Sequence, residues 1–287
     1  MNGNKNTLIV TCLYSKLYET KLGGRYNRLN HYIESLKTLS NLNVDIILYT
    51  SEEEKDIILK EHEIINNEKI KIKVYDLYSD INHNFFQKKI KENNIKNSFR
   101  CYEIMHGKIK WMNNHVNDGY EYIYWVDVGL SHAGLFPIRY RGSESEKDYY
   151  KCSLFNPKII ENLNLIDGKI VLIGGNQDHH TFERNFCSSF NVELGNNGNY
   201  HIIGGLFGGN FKLVNELYKK YENLLNEMFE LDILLYEEQI LTVLYYKYTD
   251  LFYLLEFTTW HHEDSDMSKY NNENEKYFYN IFEELNK

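Results

Sequence analysis

The chain of 287 residues is 43% hydrophobic and 25% charged, values typical of a globular protein with a sizeable core. This composition excludes collagen-like and disordered chains, and no segment approaches the ~18 consecutive apolar residues that span a bilayer. The formal net charge of -9 argues against nucleic acid as the main partner, because binding to a phosphate backbone requires clustered Lys and Arg. A locally positive pocket for a phosphate is still allowed.

Tyrosine is unusually frequent, with 25 Tyr in a chain that is 15% aromatic. Because its ring is apolar and its hydroxyl needs a hydrogen-bond partner, this frequency indicates partly solvated surfaces and pockets. The four cysteines are widely spaced and form no CxxC pair, so we expect neither a zinc ribbon nor a disulfide framework. The apolar run near the N-terminus, about seven residues long, is too short for a signal peptide. We therefore predict an intracellular protein, either cytoplasmic or peripheral at the membrane.

In the first half of the chain, short apolar segments alternate with amphipathic ones, which indicates strands alternating with helices. The first helix carries its apolar residues at helical spacing. The predicted elements are a strand at 8–13, a helix at 27–40, a strand at 44–50, a helix within 51–66, a strand at 70–75, a helix at 98–117 and an aromatic strand within 120–132.

The second half begins with an irregular segment at 133–165, which is rich in Tyr, Arg and Ser and is consistent with a functional surface. The further predictions are a strand at 169–173, a polar loop at 174–185, an apolar segment at 201–207 closed by glycines, a helix from 213 to 228 and a helix at 236–248. No internal repeat or Pro-rich linker is visible, so we expect one domain spanning residues 1–287.

This order of elements predicts an α/β fold with a mainly parallel, twisted sheet that is covered by helices on both faces. In such a sheet, ligands bind at the carboxyl ends of the strands. Candidate functional residues are therefore those that follow the strands.

Asp127 is the strongest single candidate, because it stands where the aromatic strand YIYWV ends. A carboxylate at this position can hold a hard cation such as Mg²⁺ or Mn²⁺, which prefers oxygen ligands. The alternative is an aspartate that caps the next turn.

The segment FTTWHHEDSD at 257–266 combines histidines with carboxylates, so His262 or Asp264 could complete a metal shell. Adjacent histidines point in different directions, so only one of the pair would be a ligand. The alternative is a solvated polar turn. His179 and His180 are weaker candidates, since histidine has many structural uses.

Two glycine-rich segments could approach a ligand closely. In the first, glycines precede Arg25, whose guanidinium can bind a phosphate or carboxylate in a fork. In the second, GGLFGG at 204–209, Gly204 and Gly205 would let the backbone approach a sugar or would simply form tight turns. Both interpretations of the second segment remain open.

Glu237 and Glu238 lie at the predicted start of a helix, where the helix dipole favours acids for structural reasons. A carboxylate there could also act as a base toward a substrate hydroxyl. Lys108 lies on the helix before the aromatic strand, where a cation could reach a diphosphate, although a solvated surface lysine is the alternative.

Six segments in this order resemble the HtrL/YibB (WlaTC-like) family of bacterial and viral glycosyltransferases over nearly the whole chain. They are YSKLYETKLGGR (14–25), HYIESL (31–36), YIYWVDVGLSHAGLFP (122–137), IIGGLFGG (202–209), EEQILT (237–242) and FTTWHHED (257–264). The resemblance implies a GT-A-like nucleotide-sugar fold, with a nucleotide-binding half at 1–132 and a half at 133–287 that binds the sugar and the acceptor.

The resemblance also implies roles for individual residues. The end of the first strand would border the base and ribose. Arg25 would face the diphosphate or the sugar, with Lys108 behind it. Asp127 would bind the metal ion, and His262 would be a metal or phosphate ligand contributed late in the chain. Gly204 and Gly205 would line the donor sugar, and Glu237 and Glu238 would lie near the acceptor as catalytic residues. The first-strand residues are Thr11, Cys12 and Leu13.

One departure from the family pattern concerns the metal. A usual GT-A motif is Asp-x-Asp, whereas this chain has Asp127-Val128-Gly129, which supplies one carboxylate. The metal site would then be weaker, completed by His262 or Asp264, or absent.

The leading hypothesis is a glycosyltransferase that uses a nucleotide sugar, expected to be UDP-linked, with Mn²⁺ or Mg²⁺. The acceptor would be a glycan, a lipid-linked glycan or a protein, as in polysaccharide biosynthesis. The alternatives are a non-catalytic carbohydrate-binding protein on the same fold and a nucleotidyltransferase or sugar-phosphate enzyme.

Overall fold

The computed structural model describes residues 6–14, 29–40, 42–61, 67–93, 101–128, 157–176, 187–192 and 200–257. The strands in these ranges are β1 (Thr7–Leu13), β2 (Asp45–Thr50), β3 (Ile70–Val74), β4 (Tyr122–Val126), β5 (Ile170–Asn176), β6 (Tyr200–Asn210) and β7 (Phe252–Phe257). The helices are α1 (Leu29–Ser40), α2 (Glu52–Ile58), α3 (His83–Glu92), α4 (Tyr102–Asn113), α5 (Pro157–Asn164), α6 (Phe211–Glu230) and α7 (Glu237–Lys247). Short 3-10 turns lie at Leu77–Ser79 and Thr249–Leu251.

These strands form a single sheet in the order β3-β2-β1-β4-β6-β5-β7. The pairs β3/β2, β2/β1, β1/β4 and β5/β7 are parallel, while β6 runs antiparallel to both β4 and β5. Strands that are buried on both faces are typical of such sheets, and all seven residues of β1 are buried. The predicted α/β class, with a mainly parallel sheet flanked by helices, is confirmed.

The alternation of side chains along β1 and β4 divides the core into two layers. On one face, Val10 and Trp125 pack with α3, α4, α6 and α7. On the other face, Ile9 and Tyr124 pack with α1, α2 and α5. Because side chains in a strand alternate between faces, Asp127 is directed to the same face as Trp125, beneath α4.

The direction in which the chain crosses the sheet reverses between β1 and β4. From β1 the chain moves outward through β2 to β3, and it then returns to add β4 on the opposite side of β1. Val10 pairs with Trp125, so the carboxyl ends of both strands lie together at one edge. In open α/β sheets, this switch point is where a crevice for ligands forms.

The outermost strand β3 differs from the central strands in exposure. Its sequence IKIKV alternates apolar and basic residues, and Lys71 and Lys73 are exposed while Ile70 and Ile72 are partly buried. None of the helices in the described ranges is both long enough and apolar enough to cross a membrane.

Several predicted boundaries differ from the structure. The helices α3 and α5 and the strand β7 were not expected, and α5 lies inside the segment predicted to be irregular. The strand β6 continues through Gly208 and Gly209, which were expected to end it, because both glycines pair with β4 and β5. Residues 133–156 and most of the polar loop at 174–185 lie outside the described residues.

His106 joins α4 to α6 and to the segment before α7. It is 5% exposed, and its Nδ1 and Nε2 lie 2.7 Å from the hydroxyl of Tyr221 and 2.9 Å from the carbonyl oxygen of Leu235. Since a carbonyl can only accept, Nε2 carries the proton, and Nδ1 accepts from the tyrosine. Burial is the main reason that the pKa of His106 falls from 6.5 to about 4.

We expect this histidine to make the protein less stable in acid. Because the folded-state pKa is lowered, the unfolded state binds more protons between pH 6.5 and pH 4, so the stability that His106 contributes above pH 6.5 is lost as the pH falls. At pH 5 the loss amounts to about 2 kcal/mol. Urea unfolding at pH 7.5 and pH 5 gives the total change, and His106→Gln should make this change smaller by about 2 kcal/mol. An equal difference in the variant would contradict the assignment.

Candidate active site

Four parts of the chain bring three polar side chains and one backbone carbonyl together at the carboxyl ends of β1 and β4. Lys108 comes from the middle of α4, Asp127 follows β4, Gly204 lies within β6 and Glu237 begins α7. The sequence predicted each of these residues as a separate candidate, and the structure brings them into direct contact around the ammonium group of Lys108.

Asp127 is fixed by two neighbours while it stays partly open to solvent. Its Oδ1 accepts a hydrogen bond of 2.7 Å from the indole Nε1 of Trp125, two positions earlier on the same face of the strand. Its Oδ2 accepts from the Lys108 ammonium at 3.2 Å. The side chain is 35% exposed, so the carboxylate can still meet a ligand. The residues after Val128, where the alternative would place a turn capped by Asp127, lie outside the described residues.

Lys108 is buried, so the alternative of a solvated surface lysine is wrong. Its Nζ lies 2.8 Å from Oε1 of Glu237, 2.9 Å from the carbonyl oxygen of Gly204 and 3.2 Å from Oδ2 of Asp127. Burial alone would lower the pKa of this ammonium, but the negative charges of Asp127 and Glu237 outweigh burial and raise the pKa above its ordinary value. Lys108 is therefore a permanent positive charge in this site.

Glu237 and Glu238 occupy the first turn of α7, as the sequence predicted. The helix starts in a capping arrangement, in which the backbone N–H of Tyr236 donates to the side chain of Gln239 at 3.1 Å. Farther along the helix, the hydroxyl of Thr242 accepts from the N–H of Ile202 in β6 at 3.2 Å. The acidic start of α7 is thus held firmly against β6.

The two glutamates differ in their surroundings. Glu237 is 3% exposed, and its Oε2 is buried without a hydrogen-bond partner among the described residues. Burial raises its pKa, and the nearby Lys108 only partly offsets this effect. Glu238 is partly exposed, and its Oε1 accepts from the backbone N–H of Gly204 at 3.2 Å. Of the pair, Glu238 is the carboxylate that a substrate can approach more easily.

A bulge in β6 makes the backbone of Gly204 available to these side chains. Leu172 of β5 pairs with Phe207, but the next residue, Ile173, pairs with Ile203, so β5 skips the three residues between them. Gly204 therefore directs its carbonyl to Lys108 and its N–H to Glu238. A Cβ atom at Gly204 would lie 2.6 Å from Oε1 of Glu237, so a larger residue here would displace the Glu237 side chain from its present position.

Gly205 contributes through its backbone, since its carbonyl accepts from the N–H of Asp127 at 2.8 Å. This hydrogen bond ties the residue after β4 to the bulge of β6. Of the glycines of GGLFGG, the first pair therefore belongs to the site, while Gly208 and Gly209 serve the packing of the sheet.

The family resemblance assigned the end of β1 to the base and ribose. In the structure, the side chains at this end of the strand are buried. Thr11 and Leu13 are buried on the face of the sheet away from Lys108, and the carbonyl of Leu13 accepts from the hydroxyl of Thr50 at 2.7 Å. Cys12 lies on the same face as Lys108 and is 9% exposed. Burial, followed by the charge of Asp127, raises the pKa of the Cys12 thiol, which stays protonated.

The described residues do not form a metal site by themselves. Among them, no three His, Cys, Asp or Glu side chains converge so that they could hold an ion. Asp127 offers a single carboxylate, and both of its oxygens already accept hydrogen bonds from neighbouring side chains. The other predicted ligand, His262, lies outside the described residues, as do Asp264, Arg25, His179 and His180.

Trp125 is a site residue that the sequence did not predict as functional. It is fully buried, and its indole both orients Asp127 and lies under the Lys108 ammonium, whose Nζ is 5.5 Å from the centre of the ring. The sequence feature that could have identified Trp125 is its position two residues before Asp127 on a predicted strand, which places both side chains on one face.

Neither a family model nor a curated protein sequence matches this chain. Among solved structures, it is similar to 4-diphosphocytidyl-2C-methyl-D-erythritol synthase from Anaerococcus prevotii, with 11% sequence identity and a TM-score of 0.42 over 88% of this chain and 87% of that one. So distant a likeness carries no functional conclusion. The resemblance to the HtrL/YibB family stays a prediction based on the motifs quoted above.

Proposed function

We propose that this protein is a glycosyltransferase, which moves a sugar from a nucleotide-sugar donor to a hydroxyl group of a glycan, lipid-linked or protein acceptor. The observation that carries the proposal is the contact of Asp127, Lys108 and Glu237 at the switch point of the sheet, beside the partly exposed Glu238. The order of motifs along the chain is consistent with this function.

The position of Asp127 suits it to the donor. A carboxylate at the carboxyl end of a strand, next to the switch point, can accept hydrogen bonds from the hydroxyl groups of a ribose or sugar. Its neighbours Trp125 and Lys108 hold it in one orientation, so little side-chain freedom is lost when a ligand binds.

The transfer step requires that the acceptor hydroxyl lose a proton as its oxygen attacks the anomeric carbon. In the inverting form of the reaction, the new C–O bond forms while the bond from the sugar to the β-phosphate breaks, and the bonding electrons leave with the nucleoside diphosphate. We assign the proton to Glu238, whose backbone contact with Gly204 fixes it at the edge of the bulge. If configuration is retained, Glu238 positions the acceptor instead.

The leaving diphosphate needs positive charge near it as negative charge develops. We assign this role to Arg25, following the sequence prediction. The binding of Mn²⁺ or Mg²⁺ also stays a prediction. Of its two predicted ligands, Asp127 and His262, the described residues include Asp127 alone. No step in this scheme depends on the metal ion.

The proposal is tested by measuring the release of nucleoside diphosphate from a panel of nucleotide sugars, with Mn²⁺, with Mg²⁺ and with EDTA. We expect the wild-type protein to bind at least one donor and to hydrolyse it slowly without an acceptor. Isothermal titration with UDP provides an independent measure of donor binding.

Two results would contradict the proposal. If the wild type neither binds nor hydrolyses any donor, then the site is not a nucleotide-sugar site. If pyrophosphate is released from a nucleoside triphosphate instead, then the chain is a nucleotidyltransferase.

A further inference from the structure

The ammonium of Lys108 is shared by two carboxylates that come from different parts of the fold. Asp127 follows β4 and Glu237 starts α7, and both lie within 3.2 Å of Nζ. The carbonyl of Gly204 is the third acceptor at 2.9 Å. An ammonium has three hydrogens to donate, so these three acceptors use its full capacity.

The burial of this cluster is uneven. The side chains of Lys108 and Glu237 are 6% and 5% exposed, whereas that of Asp127 is 35% exposed. A ligand can therefore approach the Asp127 carboxylate, while the ammonium lies behind it and is covered by Gly204 and Trp125. For a phosphate to contact Nζ, one of the three existing bonds would have to break.

We propose that Lys108 is a positioning residue, which fixes the carboxylates of Asp127 and Glu237 relative to each other and makes no contact with the donor diphosphate. This inference rests on the proposed function for the role of Asp127, and it differs from the role that the sequence predicted for Lys108. Because one cation bonds both acids, a change at Lys108 disturbs both together.

Trp125 provides a reporter of this arrangement that does not depend on catalysis. Its indole N–H donates to Oδ1 of Asp127 at 2.7 Å, so the chemical shift of the indole proton follows the position of the carboxylate. The chain has two other tryptophans, Trp111 and Trp260. The variants Trp111→Phe and Trp260→Phe each remove one of the other indole signals and thereby assign that of Trp125.

The experiment compares Lys108→Met with Lys110→Met in the full chain. Lys110 lies two residues further along α4, where it bonds Asp80 at 3.0 Å with 36% of its side chain exposed, so it controls for loss of a helix lysine. We expect the Trp125 indole signal to move upfield in Lys108→Met and to stay unchanged in Lys110→Met. We also expect the affinities for UDP and for uridine to fall by the same factor in Lys108→Met.

The variant Lys108→Met leaves the buried Glu237 without its counterion and could therefore fold poorly. A second variant allows the test in that case. In Lys108→Met/Glu237→Gln, both buried charges are removed together. We expect the double variant to unfold at a higher temperature than Lys108→Met, while the Trp125 signal remains shifted because Asp127 still lacks its partner.

Either of two results would overturn the inference. One is an unchanged Trp125 signal in both Lys108 variants. The other is an affinity for UDP that falls about tenfold or more while that for uridine is unchanged, which would mean that Lys108 contacts the diphosphate. If the wild type binds neither UDP nor uridine, the proposed function fails, but the Trp125 signal still decides whether Lys108 positions Asp127.

Discussion

Replacing Asp127 by Asn is expected to lower the turnover of the nucleotide-sugar donor by about 10²–10³-fold, the usual effect of losing one oriented electrostatic group in an active site. Asparagine has nearly the same shape but no charge, and its side-chain oxygen can still accept from Trp125. The fold should tolerate the change, since Lys108 keeps Glu237 as a buried counterion. The amide nitrogen that replaces the second carboxylate oxygen cannot accept from Lys108, so we expect the free energy of unfolding to fall by about 1–3 kcal/mol.

A matched control is Asp250→Asn. Asp250 is exposed in the turn before β7. Since β7 runs in the same direction as β4, this turn lies at the amino ends of these strands, away from the carboxyl end of β4. Steady-state release of UDP should be unchanged in this variant. If Asp127→Asn keeps the wild-type turnover while remaining folded, then Asp127 has no part in the reaction.

The largest expected effect on stability comes from Gly208→Ala. Gly208 has a φ of 150°, and an added Cβ would overlap the carbonyl oxygen of Ile123 and lie 2.6 Å from Cα of Tyr124. Both obstacles are backbone atoms of the central strand β4, so the clash can be relieved only by moving β6 away from β4. We expect the free energy of unfolding to fall by about 3 kcal/mol or more in urea titrations.

Gly119→Ala separates the clash from the effect of backbone conformation. Gly119 also has a positive φ, of 91°, but a Cβ there would meet no atom within 4 Å. This variant should lose about 1 kcal/mol, the cost of an unfavourable φ alone. Equal losses for the two variants would mean that the contact with β4 is unimportant.

The elements that were predicted well are those whose burial is visible in the sequence. The strands β1, β2 and β4 form short apolar runs, and α6 carries its buried residues at helical spacing. By contrast, α3 has the sequence HNFFQKKIKE, in which few apolar residues mark a face. The strand β7, FYLLEF, follows α7 without a glycine or proline to separate them. Its neighbour in the sheet, β5, is distant in sequence, so only tertiary pairing identifies it.

The same distinction holds for the site. Asp127 and Glu237 could be identified because one follows a predicted strand and the other begins a predicted helix. Their connection through Lys108 could not be predicted, since Lys108 and Glu237 are 129 positions apart and meet where α4 and α7 pack on the same face of the sheet. The burial of Lys108 follows from that topology and not from its local sequence.

The exposed lysines of β3 are expected to oppose association of this protein at high concentration. Among the described strands β3 is the outermost, so its outer backbone groups have no strand from these ranges beside them. Two copies that tried to join through this edge would bring Lys71 and Lys73 of both chains together, and the repulsion would oppose pairing. The isoleucines of β3 thus pack against the core, while the lysines that alternate with them oppose edge-to-edge pairing between two copies of the chain.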